Sequence, residues 1–220
     1  MPVPRPEVSG ACVEVAELRD VFSRCMIGDW ALDPDSIGLL WESLQEDRPN
    51  SILEFGSGKT TLMLARYAES RRPERVTVVS LEQGVTARAA TERLLEESGL
   101  GGLVTVLTVP IDDSGFYQVA PDQVAVALAG SQPEWLLIDG PHGPAGCRLD
   151  TLLRFGALCA PASHWYLDDA FRDGEMEALI RWNRTPGLRV DGIYPVGQGL
   201  ATGRIVAPAS LIGQACAAPR

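Results

Sequence analysis

Five short apolar runs punctuate the chain: Ser51-Ile-Leu-Glu-Phe55, Val76-Thr-Val-Val-Ser-Leu81, Leu103-Val-Thr-Val-Leu-Thr-Val109, Trp135-Leu-Leu-Ile138 and Trp165-Tyr-Leu167. Continuous apolar, β-branched stretches of this length predict strands buried on both faces, as parallel strands are. Between them the apolar positions fall at helical spacing. Ile37, Leu39, Leu40, Trp41 and Leu44 follow an N-cap signal at Asp35-Ser36, and Arg48-Pro49-Asn50 ends that helix. Further helices are predicted from Thr60 to about Ser70, from Thr86 to Ser98 with Gly99 as the stop, ahead of the fifth strand, and from Asp173 to Asn183. Two last strands, near 188–195 and 200–207, have no helix between them. They must pair antiparallel, with Gly197 and Gly199 in the turn. The alternation predicts one α/β domain over residues 35–208, a doubly wound, mostly parallel seven-stranded sheet with an antiparallel C-terminal strand.

Composition narrows the functions this domain can serve. The chain has 220 residues, and its net charge of −10 comes from 19 basic and 29 acidic side chains. Such a surface repels phosphate backbones, so nucleic acid is not the expected partner. The five cysteines are scattered without a Cys-x-x-Cys pair, which argues against a zinc site or a disulfide framework. Glu7, Glu14 and Glu17 interrupt the N-terminus where a secretory leader would be apolar, and no run approaches membrane-spanning length. The expected setting is cytoplasmic, with no membrane partner; a homodimer is compatible with everything above. Residues 1–34 read as an N-terminal arm or cap and 209–220 as a flexible tail.

The most specific motif is Glu54-Phe-Gly-Ser-Gly-Lys-Thr60, where the first strand turns through Gly56-Ser57-Gly58 into a helix. Gly58-Lys59-Thr60 mimics the end of a phosphate-binding P-loop, but the glycine required five residues earlier is Leu53. A dinucleotide fingerprint needs a third glycine near Thr61, and it too is missing. The acid-x-Gly-x-Gly pattern instead resembles the first motif of class I S-adenosylmethionine-dependent methyltransferases, which have a Rossmann-like sheet. The resemblance implies that Gly56, Ser57 and Gly58 wrap the methionine end of that cofactor, with Glu54 just before them. Backbone N–H groups at Lys59 and Thr60 would meet its carboxylate, aided by the helix dipole.

Ligands of an open α/β sheet lie at the carboxyl ends of its strands, which selects the remaining candidates. Glu82, after the second strand, can accept both ribose hydroxyls, and Gln83 can line the adenine edge. After the third strand, Ile111, Asp112 and Asp113 are candidates to read adenine, with Asp112 the candidate cofactor contact; Phe116 and Tyr117 fit core or pocket equally. Asp139 after the fourth strand and Asp168-Asp169 after the fifth share one edge, where three carboxylates repel unless a cation or a proton intervenes. Catechol-type and macrocin-type O-methyltransferases hold magnesium at matching positions. The resemblance therefore implies a metal at Asp139, Asp168 and Asp169, although the lysine expected shortly after the first aspartate is replaced by Gly140-Pro-His-Gly-Pro144. The competing reading makes Asp139 a contact to the methionine moiety.

His142, in that Gly/Pro loop, is the candidate general base, with Asp139 beside it in the catalytic set. His164 opens a strand, where packing or exposure is expected. Arg148 and Arg172 border the same edge, where an anionic substrate group could sit, although arginines near helix ends usually face solvent. Residues 30–36 resemble segments that fold over the cofactor in small O-methyltransferases, and the resemblance implies the same placement here. The expected activity is O-methylation of a small-molecule acceptor of secondary-metabolite type. Two alternatives stay open: the same fold using S-adenosylmethionine in a cyclisation or rearrangement, and a non-catalytic binding protein.

Overall fold

The computed structural model describes residues 32–206. The arm before residue 32 and the tail expected at 209–220 lie outside the described residues. Seven strands form one sheet in the order β3-β2-β1-β4-β5-β7-β6. They are β1 (Ser51–Phe55), β2 (Thr77–Glu82), β3 (Thr105–Thr108), β4 (Trp135–Ile138), β5 (His164–Leu167), β6 (Leu188–Tyr194) and β7 (Leu200–Ile205). The first five are mutually parallel, and β7 runs antiparallel to both neighbours. The helices are α1 (Pro34–Asp47), α2 (Lys59–Ser70), α3 (Val85–Glu97), α4 (Pro121–Ala127), α5 (Thr151–Phe155) and α6 (Asp173–Arg184). No described helix is long and apolar enough to cross a membrane.

Side-chain alternation along the strands feeds two cores. Leu53, Phe55, Leu136, Ile138, Trp165 and Leu167 face α4, α5 and α6, where Trp165 meets Trp182 edge-on at 5.3 Å. Ile52, Trp135, Leu137 and Tyr166 face α1 and α2 through Leu40, Trp41, Leu44, Met63 and Tyr67. Fully burying a side chain of this size contributes roughly 1.5–3 kcal/mol, so the two faces together dominate the stability of the domain.

Three local features differ from the sequence-based expectation. Helix α1 starts earlier, because Asp33 rather than Asp35 or Ser36 caps it, accepting from the Asp35 and Ser36 amides at 3.0 and 3.1 Å; Pro34 takes the first helical position, where no N–H is needed. Helix α4 has no signal in the hydrophobic pattern. It buries only Val124 and is short, so its start at Pro121 is its clearest mark. Strand β3 is shorter than its apolar run, because Leu103 packs against the α2–α3 side and not in the ladder.

The order of strands reverses between β1 and β4, and this opens the crevice. The two backbones touch there. A Cβ on Gly56, which sits at φ 95°, would lie 2.8 Å from the Gly140 nitrogen, and a Cβ on Gly140 would lie 2.8 Å from the Gly56 Cα. Only glycine at both positions permits this approach.

Candidate functional site

A cavity of about 710 Å³ occupies the carboxyl edge of the sheet at this switch point. Gly56 and Ser57 line it from the end of β1, Glu82 and Gln83 from β2, Asp139, Gly140 and His142 from β4, and Asp168 and Asp169 from β5. The topology thus converges residues from four strand ends, as their positions in sequence predicted.

Glu82 is the organising side chain on the β1–β2 side of the cavity. It is buried at the end of β2, and one carboxylate oxygen accepts from the Ser57 amide at 3.0 Å and the Ser57 hydroxyl at 2.8 Å. Its other oxygen accepts from the Gly84 amide at 2.8 Å. A carboxylate has about four lone-pair sites, so acceptor capacity toward the cavity remains. Gln83 lines the cavity and also bonds the His142 backbone twice.

The amides of the glycine turn are already occupied within the protein. Gly56 N–H donates to Leu81 O at 2.8 Å, Ser57 N–H to Glu82, and Gly58 N–H to the Thr61 hydroxyl at 2.8 Å. These bonds hold the turn in shape before any ligand arrives.

Of the expected cofactor contacts, Gly58, Glu54 and Thr60 do not line the cavity, and Glu54 and Thr60 lie behind the turn. Glu54 is fully buried, and the Thr60 and Thr61 hydroxyls donate to its two oxygens at 2.5 and 2.6 Å. It clamps the start of α2 to β1. Burial raises its pKa to about 7 against the pull of these hydroxyls. A folded-state pKa above the ordinary 4.5 means the folded chain holds the proton longer. The stabilisation is therefore complete below the unfolded value and is lost as pH rises through the folded one. Glu54→Gln, neutral at every pH, should gain on the native protein by on the order of 3 kcal/mol between pH 4.5 and 8. Denaturant unfolding at several pH values measures the gain, and parallel pH profiles would refute the protonated state of Glu54.

Asp112 is also placed elsewhere. Its carboxylate accepts from the Ser114 amide and hydroxyl and from the Phe116 amide, closing its own turn, and these bonds lower its pKa. Neither it nor Ile111 or Asp113 lines the cavity. Tyr117 does, with its hydroxyl donating to Leu81 O at 3.1 Å, while Phe116 belongs to the core. His164 sits at the opposite end of β5, paired with Asp47.

The β4–β5 side of the cavity is a charge cluster. Among the described residues, Asp139, Asp168 and Asp169 alone form an acidic group able to share a metal ion, offering oxygens within 4.8 Å of one another. Burial and mutual repulsion raise the pKa of both Asp139 and Asp168. Arg148 is not the solvent-facing residue its sequence context suggests. It is buried, lies 3.7 Å from Asp139, 3.6 Å from Asp169 and 3.6 Å from Glu175, and donates to Asp168 O at 3.2 Å. Arg172 pairs with Asp169 at 2.7 Å and stays exposed. His142 is exposed at the cavity wall.

Sequence reasoning missed the far wall. Gln198 and Gly197 reach the cavity because the β6–β7 turn lies beside the end of β5, where Phe171 and Ala170 amides donate to Gln198 O and Gly199 O. Asp33 and Leu32 join them, so the end of the segment expected to approach the ligand does line the site; residues 30 and 31 lie outside the described residues. The antiparallel pairing of β7 was the available signal for Gln198, since it returns the chain to the carboxyl edge.

No family model and no curated protein matches the sequence. Solved structures do match its fold. An O-methyltransferase of Bacillus cereus in complex with SAH is 16% identical, with 92% of each chain covered and a TM-score of 0.64. The SAH-bound methyltransferase PaMTH1 of Podospora anserina is 17% identical over 88% of this chain and 87% of that one, TM-score 0.64. The O-methyltransferase TomG of Streptomyces achromogenes, involved in tomaymycin synthesis and solved with SAM, is 16% identical over 94% and 93%, TM-score 0.61. The strand order, the glycine turn and these neighbours together give the chain the fold of the class I S-adenosylmethionine-dependent methyltransferases.

Proposed function

We propose that the protein is an S-adenosylmethionine-dependent methyltransferase acting on an oxygen of a small-molecule acceptor. The carrying observation is Glu82, a buried carboxylate that faces the cavity from the end of β2 while bracing the Gly56–Gly58 turn. The residues fit the cofactor: a carboxylate suits ribose hydroxyls, and the acidic cavity suits a sulfonium cation. When bound, S-adenosylmethionine supplies an already activated methyl electrophile. The chain's own task is then alignment and proton removal. Glu82 would hold the sugar, Gln83 would border it, and Asp139, at the β4 end, would meet the methionine portion. His142 would take the proton from the acceptor oxygen. Solved structures of O-methyltransferases with this fold support oxygen as the acceptor atom.

Magnesium is the second candidate cofactor. Asp139, Asp168 and Asp169 supply the hard oxygen donors it prefers, and a bound cation would lower the acceptor's pKa. Arg148 and Arg172 already compensate part of the same charge.

Calorimetry with S-adenosylmethionine and its demethylated product should give saturable heat, and radiolabelled methyl should pass to members of an acceptor panel. Absence of heat with folded protein would refute the reading. His142→Gln should lower turnover by about 10²-fold or more at pH 7, the usual scale of general-base loss. Chelation followed by magnesium replacement tests the metal: full activity in chelator removes Asp168 and Asp169 from that role.

A further inference from the structure

Gln83 makes an unusual contact for a residue next to a cofactor carboxylate. Its side-chain Nε2 donates to the His142 carbonyl at 2.9 Å, and its Oε1 accepts from the His142 N–H at 2.6 Å. One planar amide thus satisfies both main-chain groups of one residue, 59 positions away in sequence. This is the pairing of a strand ladder carried out by a side chain.

The loop it grips is anchored on either side of His142: the Asp139 and Gly140 amides donate to Phe55 O, and Pro144 O accepts from the Cys147 amide. Residues 139–143 carry no regular secondary structure, and Gly140, Pro141, Gly143 and Pro144 offer no side-chain donors. Inside the loop, Pro141 O accepts from Cys147 Sγ at 3.3 Å and Arg148 Nε at 3.4 Å, which anchors the stretch just before His142. Fixing the peptide units on both sides of His142 fixes the direction of its Cα–Cβ bond. That direction matters because His142, with Arg148 and Arg172, borders both the main cavity and an adjoining one of about 320 Å³.

We propose that Gln83 is a positioning residue: its amide clasps the His142 backbone and aims the imidazole at the boundary between the two cavities. The catalytic consequence rests on the methyl-transfer reading above; the clasp itself does not. Gln83→Met keeps the side chain's length and removes both bonds. Gln83→Glu keeps the length and the acceptor and removes the donor.

The chain has two histidines, so carbon–proton NMR of the imidazoles distinguishes His142 from His164 as an internal control. In Gln83→Met the His142 signals should shift and its amide should exchange about tenfold faster or more, with His164 unchanged. Turnover should fall by about tenfold while KM for S-adenosylmethionine stays within about threefold. In a double-mutant cycle, Gln83→Met should add almost nothing to His142→Gln, because both act through one group. Gln83→Glu should fall between.

Unchanged His142 signals and exchange in Gln83→Met would overturn the clasp. Multiplying losses in the double mutant, or a raised KM at constant kcat, would make Gln83 a direct cofactor contact instead and overturn the positioning role. Near-normal turnover of His142→Gln would do the same. A native protein that takes up no S-adenosylmethionine refutes the methyl-transfer reading, and the NMR comparison still decides the clasp.

Discussion

Arg148→Met should destabilise the protein by about 3–5 kcal/mol, the usual consequence of stripping one partner from a buried ion cluster. Asp139, Asp169 and Glu175 each lie within 3.7 Å of its guanidinium, and its side chain is only 5% exposed. Methionine fills much of the volume but leaves the acids uncompensated. For a domain of this size the loss corresponds to a fall in Tm of roughly 6–20 °C. The gap to the native protein should widen as pH rises. Asp139 and Asp168 already have raised pKa values, so the folded variant survives best while they hold protons and weakens as they ionise. Arg181→Met is the control, since that arginine pairs with Asp150 at the surface, where such bridges contribute about 0–1 kcal/mol. A variant at Arg148 that melts within the control's range would show that the cluster needs no internal cation.

Glu82→Gln should weaken binding of the demethylated cofactor by about 100-fold, or roughly 2.7 kcal/mol. Two effects add. On the proposed reading the ribose loses a charged acceptor, and the turn loses its brace. An amide offers one oxygen where the carboxylate offers two, so its NH₂ must face either the Ser57 donors or the Gly84 donor. Glu82→Asp, which retains charge but is one methylene shorter, should be intermediate. Titration calorimetry measures both. An unaltered Kd in folded Glu82→Gln protein would remove Glu82 from the cofactor site and, with it, the observation on which the functional reading stands.

The two experiments probe different halves of one crevice. Loss at Glu82 should appear chiefly in ligand affinity, with a modest fall in Tm from the loosened turn. Loss at Arg148 should appear first in stability, because its partners are acids of the protein itself. A pattern with the two effects exchanged would mean that the charge cluster, and not the β2 end, receives the cofactor's polar groups.

Local physics explains what could be read from the chain alone. Apolar runs of strand length separated by helical spacing point to a mostly parallel sheet ending in an antiparallel pair, and the observed sheet has that form. Gly56 and Glu82 could be chosen from sequence because a tight turn and a strand end are short-range features. The same holds for Asp139, Asp168 and Asp169, since parallel strands bring their carboxyl ends to one edge. Roles that depend on distant partners could not be read this way. Glu54 looks like a ligand contact until its two threonine partners are seen behind the turn, and Asp112 until its carboxylate is seen closing its own loop. Arg148 carries no sequence mark of burial, because the acids that make burial tolerable come from β4, β5 and α6. The grip of Gln83 on His142 spans two strand ends that only the β2-β1-β4 order brings together. Periodicity and turn chemistry are properties of neighbouring residues and so are written along the chain. Charge compensation and side-chain aim are settled between segments far apart in it, and only their packing decides them.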